Sequence, residues 1–290
     1  MSRPSVLHPH TEANVAQFVE QPSHAVLLMG SNGVGKTYLA EHILADVLQL
    51  DEDRLNSHPY YTVVRPEKGS ISIDAVRELQ RFLQLKTLGT KPFRRAVIVE
   101  HAEGLTIEAQ NAFLKLLEEP PADTIMILTA DTARALLPTI LSRVQTIAVQ
   151  APDDTTLKAY FASQGKEATA ITQAYFLSGG LPGLMHALLA GDETHPLLAG
   201  VATAKTILQA QTFERLALVE GMSKQKDEAK YTLQALRHIA QTGLDQAAAK
   251  ADPAKIKQWH HILKVTTAAL DSLALHANTK LTLSNLMLHI

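Results

Sequence analysis

The chain has 290 residues, 46% hydrophobic and 19% charged, with Lys+Arg 27 against Asp+Glu 29 and a net charge of -2. That balance supplies no bulk positive field to draw the chain onto nucleic acid or anionic lipid, so any DNA contact has to come from local residues or an assembly. The cysteine count is 0, which excludes disulfides and thiolate metal sites; no apolar run approaches a membrane span and the stretch Met1 to Gln21 is too polar for a signal peptide, so the expectation is a cytoplasmic chain without membrane contact.

In chain order, Thr11 is expected to cap a short helix with Val15, Phe18 and Val19 on one face, stopped by Pro22. The apolar run Ala25 to Met29 predicts a buried strand. It breaks into Gly30-Ser31-Asn32-Gly33-Val34-Gly35-Lys36-Thr37, after which Leu39, Ile43 and Val47 give Tyr38 to Leu50 a helical period. Strand, loop and helix are the context that G-x-x-x-x-G-K-[ST] requires. Glycines at 30, 33 and 35 let backbone N–H groups curl around phosphate oxygens, and the following helix adds the positive end of its dipole. Lys36 can reach outer phosphates and the Thr37 hydroxyl can ligate Mg²⁺. The expected ligand is ATP or ADP with Mg.

Residues Leu50 to His58 read as a loop, Tyr60 to Val64 as a strand, and Pro66 to Gly69 as a turn. Asp74 is expected to cap a helix with Val76, Leu79, Phe82 and Leu83 inward. After a turn at Gly89 to Pro92, Arg95 to Glu100 is a further strand. Thr106 to Leu117 is amphipathic, with Ala109, Ala112, Phe113, Leu116 and Leu117 at helical spacing, and Glu118-Glu119-Pro120-Pro121 ends it. Thr124 to Thr129 and Thr146 to Val149 complete the strands. Strands alternating with helices predict a five-stranded parallel sheet between helices, with the ligand at the strands' carboxyl ends.

After Pro152 only helical patterns follow: Asp154 to Gln164, Glu167 to Leu177, and a helix opened by Ser178-Gly179-Gly180-Leu181-Pro182-Gly183. Ala190 to Pro196 reads as a polar linker. From Leu197 to Ile290, four or five amphipathic helices are expected, broken near Gln211, Ser223, Gly243, Pro253 and Asn278-Thr279-Lys280. The fold class is thus an α/β P-loop domain (1–150) followed by a small helical lid (151–195) and an all-α domain (196–290).

The P-loop, the strand ending Glu100-His101-Ala102, the helix Asn111 to Pro121 with its Leu116-Leu117-Glu118-Glu119-Pro120-Pro121 ending, and Ile140-Leu141-Ser142-Arg143 resemble the clamp-loader branch of AAA+ ATPases. His58-Pro59, Pro66-Glu67-Lys68-Gly69 and Ile73 to Arg77 are most similar to its delta-prime type from bacterial DNA polymerase III, and Ala277-Asn278 with Leu281 and Leu286 resemble the last helix of the family's oligomerising collar. The resemblance implies a hetero-oligomeric ring with motor and delta-type clamp-loader subunits. Its work would be ATP-dependent loading of a sliding clamp onto primed DNA during replication. Thr129 matches the phosphate-sensing residue of the fourth strand, although a β-branched residue suits a strand in any case. Arg143 matches the arginine finger that such a subunit projects into its neighbour's site; the alternative is an arginine favourable to a helix C-terminus.

Departures from a working ATPase are equally informative. The positions that hold Mg²⁺ and polarise water in active relatives carry Glu100 and His101. Glu100 retains a carboxylate for Mg, whereas His101 reads as a mostly neutral loop histidine and a poor base. Gly183 stands where active relatives carry a lid arginine. The family's four-cysteine zinc module is missing, so no zinc is expected, and His260-His261 and His8/His10 lack metal-ligand spacing. The expectation is at most a weak ATPase. The alternatives are a motor-type ATPase subunit of the same family and a free-standing P-loop enzyme such as a small-molecule kinase.

Overall fold

The computed structural model describes residues 6–67, 69–191, 196–274 and 277–290. Lys68 of the expected Pro66–Gly69 turn and residues 192–195 of the expected linker lie outside them. The chain divides into two compact units, Met1–Pro152 and Asp153–Ile290.

The first unit runs α1 (Pro9–Glu20), β1 (Ala25–Met29), α2 (Lys36–Leu48), α3 (Glu52–Leu55), β2 (Tyr61–Val64), α4 (Ile73–Leu83), β3 (Arg95–Val99), α5 (Ile107–Glu118), β4 (Thr124–Ala130), α6 (Pro138–Leu141) and β5 (Gln145–Ala148). The strands form one parallel sheet in the order β2-β3-β4-β1-β5. Residues Val26, Leu27, Leu28, Val97, Ile98, Ile125 and Met126 are fully buried. Continuous apolar runs rather than alternating ones are what a sheet covered on both faces demands. Register then does the positioning. Met29 lies level with both Ala130 and Ala148, and Val99 with Leu128, so the segments beginning at Gly30, Glu100, Asp131 and Val149 leave the sheet at one edge.

Local structure differs from the sequence expectation in three places. Thr11 is inside α1, whose N-cap is His8. The buried Thr11 hydroxyl instead donates to the Ala148 carbonyl at 3.2 Å and accepts from the Gln150 amide at 3.1 Å, tying α1 to the end of β5. Ser72, not Asp74, caps α4, accepting from the Ala75 amide, while Asp74 pairs with Arg77 one turn on. The expected loop from Leu50 to His58 contains the single turn α3. Thr106 caps α5 through the Ala109 amide.

The second unit is entirely helical among the described residues: α7 (Asp154–Ser163), α8 (Ala168–Ser178), α9 (Pro182–Ala190), α10 (Pro196–Gln209), α11 (Thr212–Lys224), α12 (Lys226–Ala249), α13 (Pro253–Ala274) and α14 (Thr279–His289). The break expected at Gly243 does not occur, and α12 runs through it unbroken. A Cβ at Gly243 would lie 2.5 Å from the Trp259 ring. The glycine is there to admit that indole between α12 and α13, and Phe176 meets the same ring edge-on.

Candidate functional site

The P-loop leaves β1 at Gly30, whose amide donates to the Ala130 carbonyl at 3.1 Å. A side chain at Gly30 would collide with the backbone carbonyl of Val149, so this position accepts only glycine. The loop turns through Asn32 and Gly33 with the Val34 amide donating to the Ser31 carbonyl, and the Val34 side chain is buried beneath. Gly35, in the left-handed region at φ 97°, is the N-cap of α2, and no side chain caps that end. The first N–H groups of α2, at Lys36 and Thr37, therefore face the loop with the positive end of the helix dipole behind them. This cradle is chemically suited to phosphate oxygens.

Lys36 is drawn back into the loop. Its Nζ donates to the carbonyls of Gly30 at 2.7 Å and Ser31 at 3.1 Å, and pairs with Asp131 Oδ1 at 2.8 Å. Asp131 follows β4 directly. It went unnoticed in the sequence, although a carboxylate just past the carboxyl end of a parallel strand is where site residues belong.

At the end of β3 the two degenerate positions are both engaged. Glu100 Oε1 lies 3.1 Å from the Arg65 guanidinium, with its side chain largely buried. Tyr61 is close by, and burial together with the Glu41 carboxylate keeps its phenol protonated. His101 sits in the left-handed region at φ 50°, and its ring Nδ1 is 3.4 Å from Glu103 Oε1. Hydrogen bonding to Glu103 raises the His101 pKa above its ordinary value, opposed in part by burial. Burial alone would raise the Glu103 carboxyl; the bonds from His101 and from the Asp131 amide hold it below the ordinary carboxylate value. The Thr129 hydroxyl, on a buried side chain, accepts from the His101 amide at 3.1 Å. His101, Glu103 and Asp131 present ligand-type atoms within 4.8 Å of one another.

The structure thus gathers Gly30 to Thr37, Glu100, His101 and Thr129 at one sheet edge. Arg143 belongs to another part of the unit. It follows α6, where its guanidinium donates to the Thr139 carbonyl at 3.1 Å and pairs with Glu118 at 2.9 Å. The buried side chains of Leu136 and Ile140 anchor the segment before it. Gly183 lies in the first turn of α9, in the helical unit.

A family model described as DNA polymerase III, delta subunit, matches residues 14–153. The DNA polymerase III subunit delta' of Pseudomonas aeruginosa is 36% identical over 181 residues, covering 56% of this chain and 54% of that protein. The subunit of the same name from Escherichia coli is 30% identical over 205 residues, covering 64% and 60%. The matches thus span little more than half the length of these curated relatives. Among solved structures, a DNA polymerase III gamma subunit-related protein from Thermotoga maritima shares the fold at a TM-score of 0.53, with 19% identity over 96% of this chain and 97% of that one. Over residues 14–153 the α/β unit, with its P-loop and five-stranded parallel sheet, is thus similar to the delta-prime-type subunits of DNA polymerase III.

Proposed function

We propose that the chain is a delta-prime-type subunit of a bacterial DNA polymerase III clamp loader, serving ATP-dependent loading of a sliding clamp onto primed DNA. In this reading its P-loop binds ATP or ADP, with the loop amides and Lys36 on the phosphates and Thr129 beside them. Thr37 and Glu100 would hold Mg²⁺, which when bound neutralises phosphate charge. Hydrolysis in cis is weak. Arg143 acts as a finger toward a neighbouring subunit's nucleotide, and the helical unit, divided into lid (151–195) and collar (196–290), joins the other subunits.

The observation that supports this most is the state of the end of β3 within a unit similar to these subunits. Glu100 is engaged by Arg65, and a histidine already bonded to Glu103 occupies the position of the water-polarising carboxylate. Such a site keeps its phosphate cradle while lacking an aligned base. Calorimetric titration of ATP and ADP with Mg²⁺ into the isolated chain, paired with a turnover assay, tests the reading. Binding that is weakened by Lys36→Ala, with turnover well below ~1 s⁻¹, the low end of typical enzymes, is the expected result. Lys36-dependent turnover at that rate would instead make the chain a motor-type subunit.

A further inference from the structure

The three protons of the Lys36 ammonium are matched by three acceptors: the Gly30 carbonyl, the Ser31 carbonyl and Asp131 Oδ1, at 2.7, 3.1 and 2.8 Å. No donor is left for a phosphate oxygen. The Lys36 side chain is only 6% exposed and that of Asp131 20%, so water screens the pair poorly. The backbone that carries the carboxylate is also held. The Asp131 amide donates to Glu103 Oε1 at 3.2 Å, the same oxygen meets the His101 ring, and the His101 amide is fixed by Thr129. Residues from the ends of β3 and β4 therefore keep an anion of the chain's own on the P-loop lysine.

We propose that Asp131 is a built-in competitor for Lys36, which sets the affinity of the P-loop for a nucleoside triphosphate and must release the lysine before phosphate engages it. This rests on the reading of the loop as a nucleotide site. Two effects act against the incoming ligand. A charge-assisted hydrogen bond between Lys36 and Asp131 has to break, and the Asp131 carboxylate then faces phosphate oxygens of like charge. Neither effect survives replacement by a neutral side chain of the same shape. The Lys36 bonds to the Gly30 and Ser31 carbonyls are flexible donor contacts that a phosphate can replace one for one.

The test is calorimetric titration of ATP, with and without Mg²⁺, into the wild-type chain, Asp131→Asn, Lys36→Ala and the double variant. Loss of one charge-assisted contact predicts that Asp131→Asn binds ATP about tenfold tighter or more, and that this gain shrinks on the Lys36→Ala background. Equal or weaker affinity in Asp131→Asn, or a gain undiminished without Lys36, overturns the competitor alone. Absence of binding in both wild type and Asp131→Asn overturns the nucleotide reading and the competitor with it. A second measurement needs no nucleotide: acylation of Lys36 by an amine-reactive reagent, followed by mass spectrometry, should rise several-fold in Asp131→Asn. Unchanged labelling contradicts the proposal, because the carboxylate would then not be restraining the amine.

Discussion

Arg143, the residue proposed to act on a neighbour, already holds an internal partner: its guanidinium lies 2.9 Å from Glu118 Oε1, the last residue of α5, and also donates to the Thr139 carbonyl of α6. The helix-terminus role and the finger role are therefore compatible in one side chain. Glu118 pre-orients the fork at the surface, and a phosphoryl group would offer it a stronger bidentate partner.

That pairing carries a modest stability prediction. Both side chains are more than a third exposed, 37% for Arg143 and 49% for Glu118. Exposed ion pairs contribute about 0–1 kcal/mol, so Arg143→Ala and Glu118→Gln should each shift the unfolding free energy of the α/β unit by no more than about that much. Urea titration followed by circular dichroism checks this. A much larger loss would make Arg143 a structural residue.

The helical unit should weaken in acid because of His238. Burial, aided by the nearby Arg237 charge, depresses its pKa to about 4 from an ordinary 6.5. A histidine depressed in the folded state contributes nothing unfavourable above pH 6.5. As pH falls from 6.5 through 4, the unfolded chain takes up a proton that the folded one resists, and stability is lost. At pH 5 the loss should be about 2 kcal/mol. Emission of Trp259, the single tryptophan of the chain and part of α13, reports this unit selectively. Denaturation midpoints that fall between pH 7 and pH 5 in wild type, and less so in His238→Gln, are the expected pattern; parallel curves would exclude the assignment.

Gly243→Ala should cost stability even though alanine is the better helix former by about 1 kcal/mol. The added methyl meets two Trp259 ring atoms at 2.5 Å, so the indole has to move. Overpacking of this kind costs about 1–3 kcal/mol. A red shift of the Trp259 emission should accompany a net loss, whereas a blue-shifted, stabilised variant would show that the ring relocates into a better-packed position.

The proposed collar contact predicts a separation of folding from assembly. Leu281 is 71% and Leu288 57% exposed on α14, while Leu283 and Leu286 are buried within the unit. Leu281→Asp with Leu288→Asp should leave the circular dichroism spectrum and melting of the chain unchanged. The same pair should abolish co-elution with partner clamp-loader subunits, since a buried charge without a partner is costly at an interface. Retained co-elution would place the contact elsewhere.

Much of this was legible in the residues. The central strands β1, β3 and β4 showed themselves because burial on both faces makes them largely apolar, and the P-loop because its glycines answer to local geometry. Thr106 carries a local cap signal, its hydroxyl accepting from the Ala109 amide three residues on, although the periodicity puts it inside the helix rather than at its cap. Thr11 gave the same local signal, yet its hydroxyl is used 137 residues away at Ala148. Gly243 reads as a helix breaker until the Trp259 ring is placed over it. Asp131, Glu103 and His101 become a group only once strand register sets β3 beside β4 and ends both at one edge, which no spacing within either segment encodes.

The measurement that bears most directly on the proposed role is the ATPase rate of a reconstituted clamp loader, stimulated by sliding clamp and primed DNA, with wild-type chain or Arg143→Ala. A finger supplied in trans is worth about 10³–10⁵ in rate at the site it completes, so the assembled Arg143→Ala complex should lose the contribution of one neighbouring site. Arg143→Lys should fail to restore it, because a point charge does not reproduce the planar fork. An assembled Arg143→Ala complex with wild-type ATPase and clamp loading would contradict the account and leave Arg143 as the partner of Glu118 alone.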